Sequence, residues 1–303
     1  MSMGNDNEIR LEKLGEKTFY VTGLFKIGVY KISDTDICLI ESGLDRSYAK
    51  SVDKVFEKEG LNVKYIINTH YHADHSGGNA YFQEKYNCQI LATRINAELM
   101  REYALCPSII WGGSPVKNIL NNYFLAENSN AEDIMQKELP EGIEIGMLPG
   151  HSYEMIYVKT KDDVAFLGDA VVAEETLSKH HLSYIYDIEK HLETLDVLEQ
   201  LEAKYYVAYH DEPFTDIKEH VAFNRKNIYE NIELIKDICS EPKTIEEVIR
   251  EYFNRYYFRL SMYKFAVDGG MIRNYMTYLY NKGELCADNI DNFIKWHTTK
   301  KFY

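Results

Sequence analysis

The chain has 303 residues, of which 45% are hydrophobic and 27% charged, and its net charge is −14. That is the composition of a soluble globular protein with room for one large domain, or a large and a small one. A balance this acidic argues against general attraction to nucleic acid or to an anionic membrane. The acid is uneven: residues 241–303 hold 10 Lys and Arg against 8 Asp and Glu, a net of +2, which leaves −16 for residues 1–240. Five cysteines, an odd number with no C-x-x-C pair, read as free thiols in a reducing compartment. No run of 18 apolar residues occurs, and the start is polar, so a cytoplasmic location is expected and no membrane partner.

Residues 1–14 read as a loose start. Short β-branched or aromatic runs over 18–21, 29–32 and 37–41, separated by Gly23, Gly28 and Asp34, predict a β-meander. Ser42 to Asp45 is a turn, and Val52, Val55 and Phe56 give residues 47–59 helical spacing. Val63 to Ile67 reads as a buried strand. It runs into the densest chemistry in the chain, Thr69-His70-Tyr71-His72-Ala73-Asp74-His75-Ser76-Gly77-Gly78. Imidazole nitrogens and carboxylate oxygens are the ligands that first-row divalent metals prefer, zinc above all. His70 and His72 are two apart and in extended backbone point the same way, toward one ion. Asp74 and His75 are adjacent, point elsewhere, and suit a second ion.

Asn79 begins a helix, 90–92 is a strand and 96–103 a helix. Residues 106–130, with Pro107, Gly112, Gly113 and Pro115, read as a long irregular segment of the kind that often carries function. Its Trp111 and Tyr123 either line a cleft or pack on the body of the domain. Strands are expected over 143–148, 154–160, 164–167 and 205–209, with a helix over 187–203. Beyond Pro213 the pattern is helical: 217–239, then a helix to about Tyr256 opened by a capping box with Thr244 as N-cap and Glu247 at N3, then 271–280. Periodicity alone supports a mixed α/β domain followed by a helical region.

His70-x-His72-x-Asp74-His75 resembles the signature of the metallo-β-lactamase-fold hydrolases, the superfamily that includes glyoxalase II, ribonuclease Z and the lactonases. The resemblance covers roughly residues 15 to 213. It implies an αββα sandwich for a catalytic domain over 1–213. Residues 214–303 resemble, more faintly, a small winged-helix-like domain. The family requires three further ligands at the ends of later strands, and His151, Asp169 and His210 match them. The resemblance then implies one ion on His70, His72 and His151, another on Asp74, His75 and His210, and Asp169 bridging, with Asp74, His75 and Asp169 tied most directly to catalysis. It implies two divalent ions, zinc by default with iron or manganese open, and a bridging hydroxide that attacks a small ester, thioester or lactone.

The departures matter too. Asp169 and His210, with no cysteine ligand, favour a general hydrolase over a β-lactamase. His72 argues against the flavodiiron relatives. The persulfide dioxygenases, which use one iron, share the His-x-His-Ala-Asp-His loop and stay open as an alternative. A phosphodiesterase or ribonuclease would want a basic track, and none is visible. In the helical region Arg273 has few basic neighbours, so a nucleic-acid-binding module is the weaker reading against a role at the site mouth or in a homodimer. His180 and His181 lie on a segment that in this family often passes the site. They either touch substrate or belong to a solvated loop. Trp111 and Tyr184 are the further candidates for the wall of a small-molecule pocket. His191, His220 and His297 read as surface residues.

Overall fold

Residues 9–299 are described by the structure, a computed structural model. The first half of the chain runs β1 (Leu11–Lys13), β2 (Thr18–Val21), β3 (Ile27–Lys31), β4 (Asp36–Ile40), α1 (Arg46–Lys58), β5 (Asn62–Ile67), the single turn α2 (Ala73–Ser76), α3 (Asn79–Tyr86), β6 (Gln89–Ala92), α4 (Arg94–Arg101), α5 (Cys106–Trp111) and β7 (Ala131–Asp133). Its seven strands form one sheet in chain order, antiparallel from β1 to β4 and parallel from β4 to β7. The second half contributes β8 (Ile143–Met147), β9 (Ile156–Thr160), β10 (Val164–Gly168), α6 (Glu174–His180), α7 (Ile188–Gln200) and β11 (Tyr205–Ala208). These strands form a four-stranded sheet in the order β11-β10-β9-β8.

Alternation along the strands sorts the core into layers. Cys38 and Ile40 of β4 and Tyr30 of β3 meet Val158, Val164 and Phe166 of the other sheet in one apolar layer. Ile37 and Leu39 of β4 point the opposite way, onto Val52 and Phe56 of α1, Phe82 of α3 and Met100 of α4. In β10, Ala165 and Leu167 face outward onto the helices that follow. Both sheets are therefore covered on both faces at their centres, where β3, β4 and β10 are buried almost throughout, while the edge strands β1 and β8 are mostly not. The result is the αββα sandwich.

Three helices, α8 (Ile217–Ile238), α9 (Ile245–Arg255) and α10 (Met262–Asn281), and a hairpin of β12 (Leu285–Ile290) and β13 (Phe293–Thr298) complete the chain. The capping box at Thr244 is formed in both directions, as its sequence predicts. One apolar cluster runs from Leu167 and Leu198 through Ile228, Ile249 and Ile272 to Leu285, so these helices share a core with the second sheet. Among the described residues no helix is long and apolar enough to cross a membrane. The five cysteines are free, four of them buried.

Several expectations need correction. The loose start, of which residues 1–8 lie outside the described residues, contains an edge strand, because Leu11 to Lys13 pair with β2. Residues 106–130 are not irregular throughout. Pro107 stands in the first turn of α5, and Gly112, at φ +80°, closes it, so both act as helix punctuation. α10 begins at Met262, nine residues before the expected Met271. Ser261 caps it, and Gly269 packs within it where a Cβ would lie 3.1 Å from Ile249, so that glycine serves helix packing. The terminal hairpin escaped the periodicity; Asp291 and Asn292, at φ 54° and 61°, make its two-residue turn. His191 is 3% exposed, and burial pushes its pKa down to about 3. His220 stacks on Phe214, and His297 meets Asp288 at 2.8 Å.

Candidate metal centre

Strands β4, β5, β8, β10 and β11 each hand a polar residue to the same edge of the sandwich. β4 is parallel to β5 and β10 to β11, while β8 and β10 are both antiparallel to β9. Their C-terminal ends thus deliver Glu41, the His70–His75 loop, His151, Asp169 and His210 together. Strand ends are where main-chain pairing stops and side chains are released from the pleat, which is why chemistry collects there in α/β sandwiches.

The loop after β5 is held by its surroundings. Ile156 N–H donates to Thr69 O at 3.1 Å, tying the loop to the second sheet, and Asn96 accepts from Tyr71 N at 2.9 Å. α2 then turns the chain so that Asp74 and His75 both leave its single turn. Its end runs so close to residues 42–44 that a Cβ on Gly77 would lie 2.0 Å from Leu44 O, a backbone atom. Gly77→Ala is expected to destabilise by at least about 1–3 kcal/mol, because neither backbone can yield without moving the loop. Chemical denaturation would measure it, and an unchanged midpoint would contradict this packing.

The ligand atoms form two groups that share Asp169. In the first, His70 Nε2 and His151 Nε2 stand 2.9 and 3.0 Å from His72 Nδ1, and Asp169 Oδ2 is 3.5 Å from His151 Nε2. In the second, His210 Nε2 is 3.3 Å and His75 Nε2 3.9 Å from Asp74 Oδ2. Asp169 joins them: its Oδ2 lies 3.2 Å from His75 Nε2, its Oδ1 3.6 Å from His210 Nε2. Ligand atoms around a four-coordinate ion with bonds of about 2.0–2.1 Å sit roughly 3.3 Å apart, so this spacing fits metal binding. A second observation agrees: His75 Nε2 is buried and makes no hydrogen bond among the described residues.

The electrostatics differ between the two groups. Burial pushes His72 down to about 4 and His151 to about 3, and pushes His70 well below its ordinary value, so all three rings are neutral near pH 7, the form that donates to a metal. At His75 and His210 burial again opposes charge, but Asp169 and Asp74 outweigh it and raise both rings. The carboxylates at this end therefore demand positive charge, which a divalent cation satisfies as well as an imidazolium does.

Glu41 is the residue that sequence reasoning missed. It is 1% exposed and held at φ +70°, a sparsely populated conformation for a side-chain-bearing residue. Its carboxylate accepts from Thr69 N at 3.2 Å, from the Thr69 hydroxyl, from Asn68 Nδ2 at 3.1 Å and from His75 Nδ1 at 3.2 Å. The Thr69 hydroxyl, spent as a donor on Glu41, accepts from His70 Nδ1 at 3.0 Å. One carboxylate thereby fixes the ring tautomer in both groups, leaving Nε2 of His70 and of His75 as lone pairs aimed at the cluster. Glu41, His70 and His75 also lie close enough to form a ligand trio of their own. The donors already on Glu41 make it a supporting residue instead. Tyr209, also missed, stacks on His75 at 3.8 Å between ring centres and donates to Asp74 O at 2.7 Å. The available signal was a lone carboxylate closing an apolar strand, Ile37 to Glu41.

The four pocket candidates separate. Tyr184 stands edge-on to His72 at 5.0 Å and near His151 at 5.4 Å. It and His180, the last residue of α6, line a cavity whose wall includes His151, Asp169 and His210. His181 is turned away: it ends α6 at φ +59°, stacks on Tyr256 at 4.0 Å, and its carbonyl accepts from Asn227 and Asn231. Trp111 lies in a neighbouring cleft with Tyr184, Tyr186 and Arg273. Tyr123 is 46% exposed, next to Phe124, whose ring lies 5.9 Å from Tyr263 of α10.

Comparison with known proteins places this geometry. The family model described as the metallo-beta-lactamase superfamily matches residues 27–210. Over 48 residues the chain is 46% identical to a hydroxyacylglutathione hydrolase of Pelagibacter ubique, a match covering 16% of this chain and 20% of that protein. A hydroxyacylglutathione hydrolase of Thiobacillus denitrificans is 36% identical over 56 residues, 16% of this chain and 22% of that protein. The matched segments thus span about a fifth of these relatives. Among solved structures, a beta-lactamase domain protein from Burkholderia ambifaria superposes with a TM-score of 0.72 at 16% identity, covering 95% of this chain and 93% of that one. A metallo-beta-lactamase family protein from Thermus thermophilus gives 0.69 at 16% identity, covering 98% and 100%. At that identity the likeness is one of fold.

Proposed function

The chain belongs to the metallo-beta-lactamase superfamily, and from that premise we propose that it is a dinuclear metal-dependent hydrolase of small esters, thioesters or lactones. The observation that carries the reading is the pair of ligand groups meeting at Asp169, whose Oδ2 lies 3.5 Å from His151 Nε2 of the first and 3.2 Å from His75 Nε2 of the second. His70, His72 and His151 would hold one ion, Asp74, His75 and His210 the other, and Asp169 both. Two divalent ions, zinc by the donor set, would supply when bound a water activated at neutral pH and charge to offset a developing oxyanion.

The chain's own residues do the rest. Asp74 and Asp169 set the negative charge that retains the ions. Glu41, through Thr69 and directly, holds two imidazoles in the donor tautomer. Tyr184 covers the side of the half-buried His72 and the buried His151, while His210, with its side chain 43% exposed, lies toward solvent and marks the direction of substrate entry. No serine or cysteine nucleophile is required. The curated relatives are named for hydroxyacylglutathione, a thioester, which supports thioesters as the first class to try.

Purified protein is expected to contain close to two divalent ions per chain by elemental analysis. Chelation should remove hydrolysis of a glutathione thioester, a lactone, or whichever of a test panel is turned over, and zinc should restore it. A metal-loaded protein that left the whole panel, including a cephalosporin and a phosphodiester, untouched would overturn the hydrolase reading. Preference for the phosphodiester would overturn the small-ester class.

A further inference from the structure

We propose that the cavity beside Asp169 and His210 is an acyl pocket, shaped for the uncharged aliphatic end of the substrate. The inference rests on the hydrolase reading above. The cavity holds about 230 Å³, and His151, Asp169 and His210 stand on its wall, so whatever fills it lies against the reacting atoms. The facing wall is Val171, Val172 and Leu177, with Leu182 and Ala208 completing it. Val171 and Leu177 are 3% and 2% exposed, and Val171 belongs to the core shared by the second sheet and the C-terminal helices. This wall is therefore a rigid extension of the core and not a loose loop.

Charge decides what the pocket accepts. Among the described residues no lysine or arginine lines it; its acidic members are Asp169, within the metal centre, and Asp211, which faces His220 at 3.5 Å. A carboxylate or phosphate at the far end of an acyl group would sit among valine and leucine side chains with no cation to replace its lost hydration, and burying an uncompensated charge is costly. A methylene chain in the same place gains about 0.8 kcal/mol per buried CH2, near fourfold in binding. The cleft on the other side of Tyr184 differs in character, with Arg273 and Asn274 beside Trp111. Arg273 offers a charged portion of a substrate a partner there, and away from the metal centre the wall of valine and leucine offers none here. Thr176 and His180 stand at the exposed rim of the acyl pocket and tolerate a polar group at its mouth.

The test is a series of N-acetylcysteamine thioesters on metal-loaded protein: acetyl, butyryl, hexanoyl, octanoyl and succinyl. We expect kcat/KM to rise about three- to fourfold per methylene until the cavity is full, and succinyl to fall at least tenfold below butyryl. Leu177→Asp should lower the hexanoyl-to-acetyl ratio at least tenfold, and Leu177→Phe, which keeps the wall apolar and fills space, should move the preferred chain shorter. A flat profile, or succinyl preferred to butyryl, with hydrolysis intact, overturns the acyl pocket and leaves the hydrolase reading standing. Calorimetric titration with hexanamide reads the pocket without turnover. Binding that Leu177→Phe weakens supports the pocket even if no thioester is cleaved, and no binding to the wild-type protein overturns it.

Discussion

Asp169→Ala is expected to eliminate hydrolysis, with kcat/KM falling by at least about a thousandfold, and to lower metal content from two ions per chain toward one or none. The direction follows from geometry. Asp169 reaches both ligand groups from between them, 3.5 Å from His151 Nε2, 3.2 Å from His75 Nε2 and 3.6 Å from His210 Nε2. Without it, two cations would face each other across a gap that no shared anion screens. In a site this enclosed, where the effective dielectric is far below that of water, such repulsion is strong. Each ion also loses a ligand. The fold should persist, because Asp169 follows β10 and contributes nothing to the apolar layers. Elemental analysis, circular dichroism and a kinetic assay on the same sample separate these effects. Full activity with two ions bound would show that Asp169 does not bridge.

Glu41 supports the second large effect. Glu41→Ala would strand the Thr69 N–H and hydroxyl and His75 Nδ1, buried donors that now end on this carboxylate, and would leave Asn68 Nδ2 with His75 O as its acceptor. Losing a buried, multiply bonded carboxylate costs on the order of 3–5 kcal/mol. Glu41→Gln is the informative companion, since it keeps the volume while replacing one acceptor oxygen with a donor. It should cost less stability yet still lower metal affinity about 10- to 100-fold, because a neutral amide oxygen holds Thr69 and His75 Nδ1 more weakly than a carboxylate does and its NH2 would face the Asn68 amide. Competition with a chromogenic chelator measures the affinity and denaturant melts the stability. A residue that merely filled space would give a Gln variant with unchanged metal affinity.

Much of this protein is legible in its linear order. The stretch from His70 to His75 announces metal chemistry because so many donors in so few residues have no other economical use. The runs Ile37–Ile40, Val63–Ile67 and Val164–Leu167 declare themselves as buried strands through unbroken apolar content, and Thr244 with Glu247 declares a helix start through local hydrogen bonding that needs no distant partner. These signals share one property, that their physics is contained within a few consecutive residues. The terminal hairpin and the long reach of α10 were harder. Gly269 in isolation is a helix breaker, and only the approach of Ile249 across the interface turns it into a packing device.

The site divides in the same way. The ligand types of the first loop are written in the chain, whereas the meeting of His151, Asp169 and His210 with that loop is made by strand ends brought together over more than a hundred residues. Glu41 shows the division most sharply. In the sequence it is one of 48 acidic residues. In the folded chain it is almost wholly buried behind two imidazoles and sets the proton on both. His180 and His181 make the same point in neighbouring positions: the helical turn ends between them, one ring reaching the cavity and the other stacking on Tyr256. Residue identity gave the donors, because chemistry belongs to the side chain. Which donors converge, which support them and what may lie against them belongs to the packing of two sheets, because only a rigid core can hold atoms distant in the chain within bonding reach of one point.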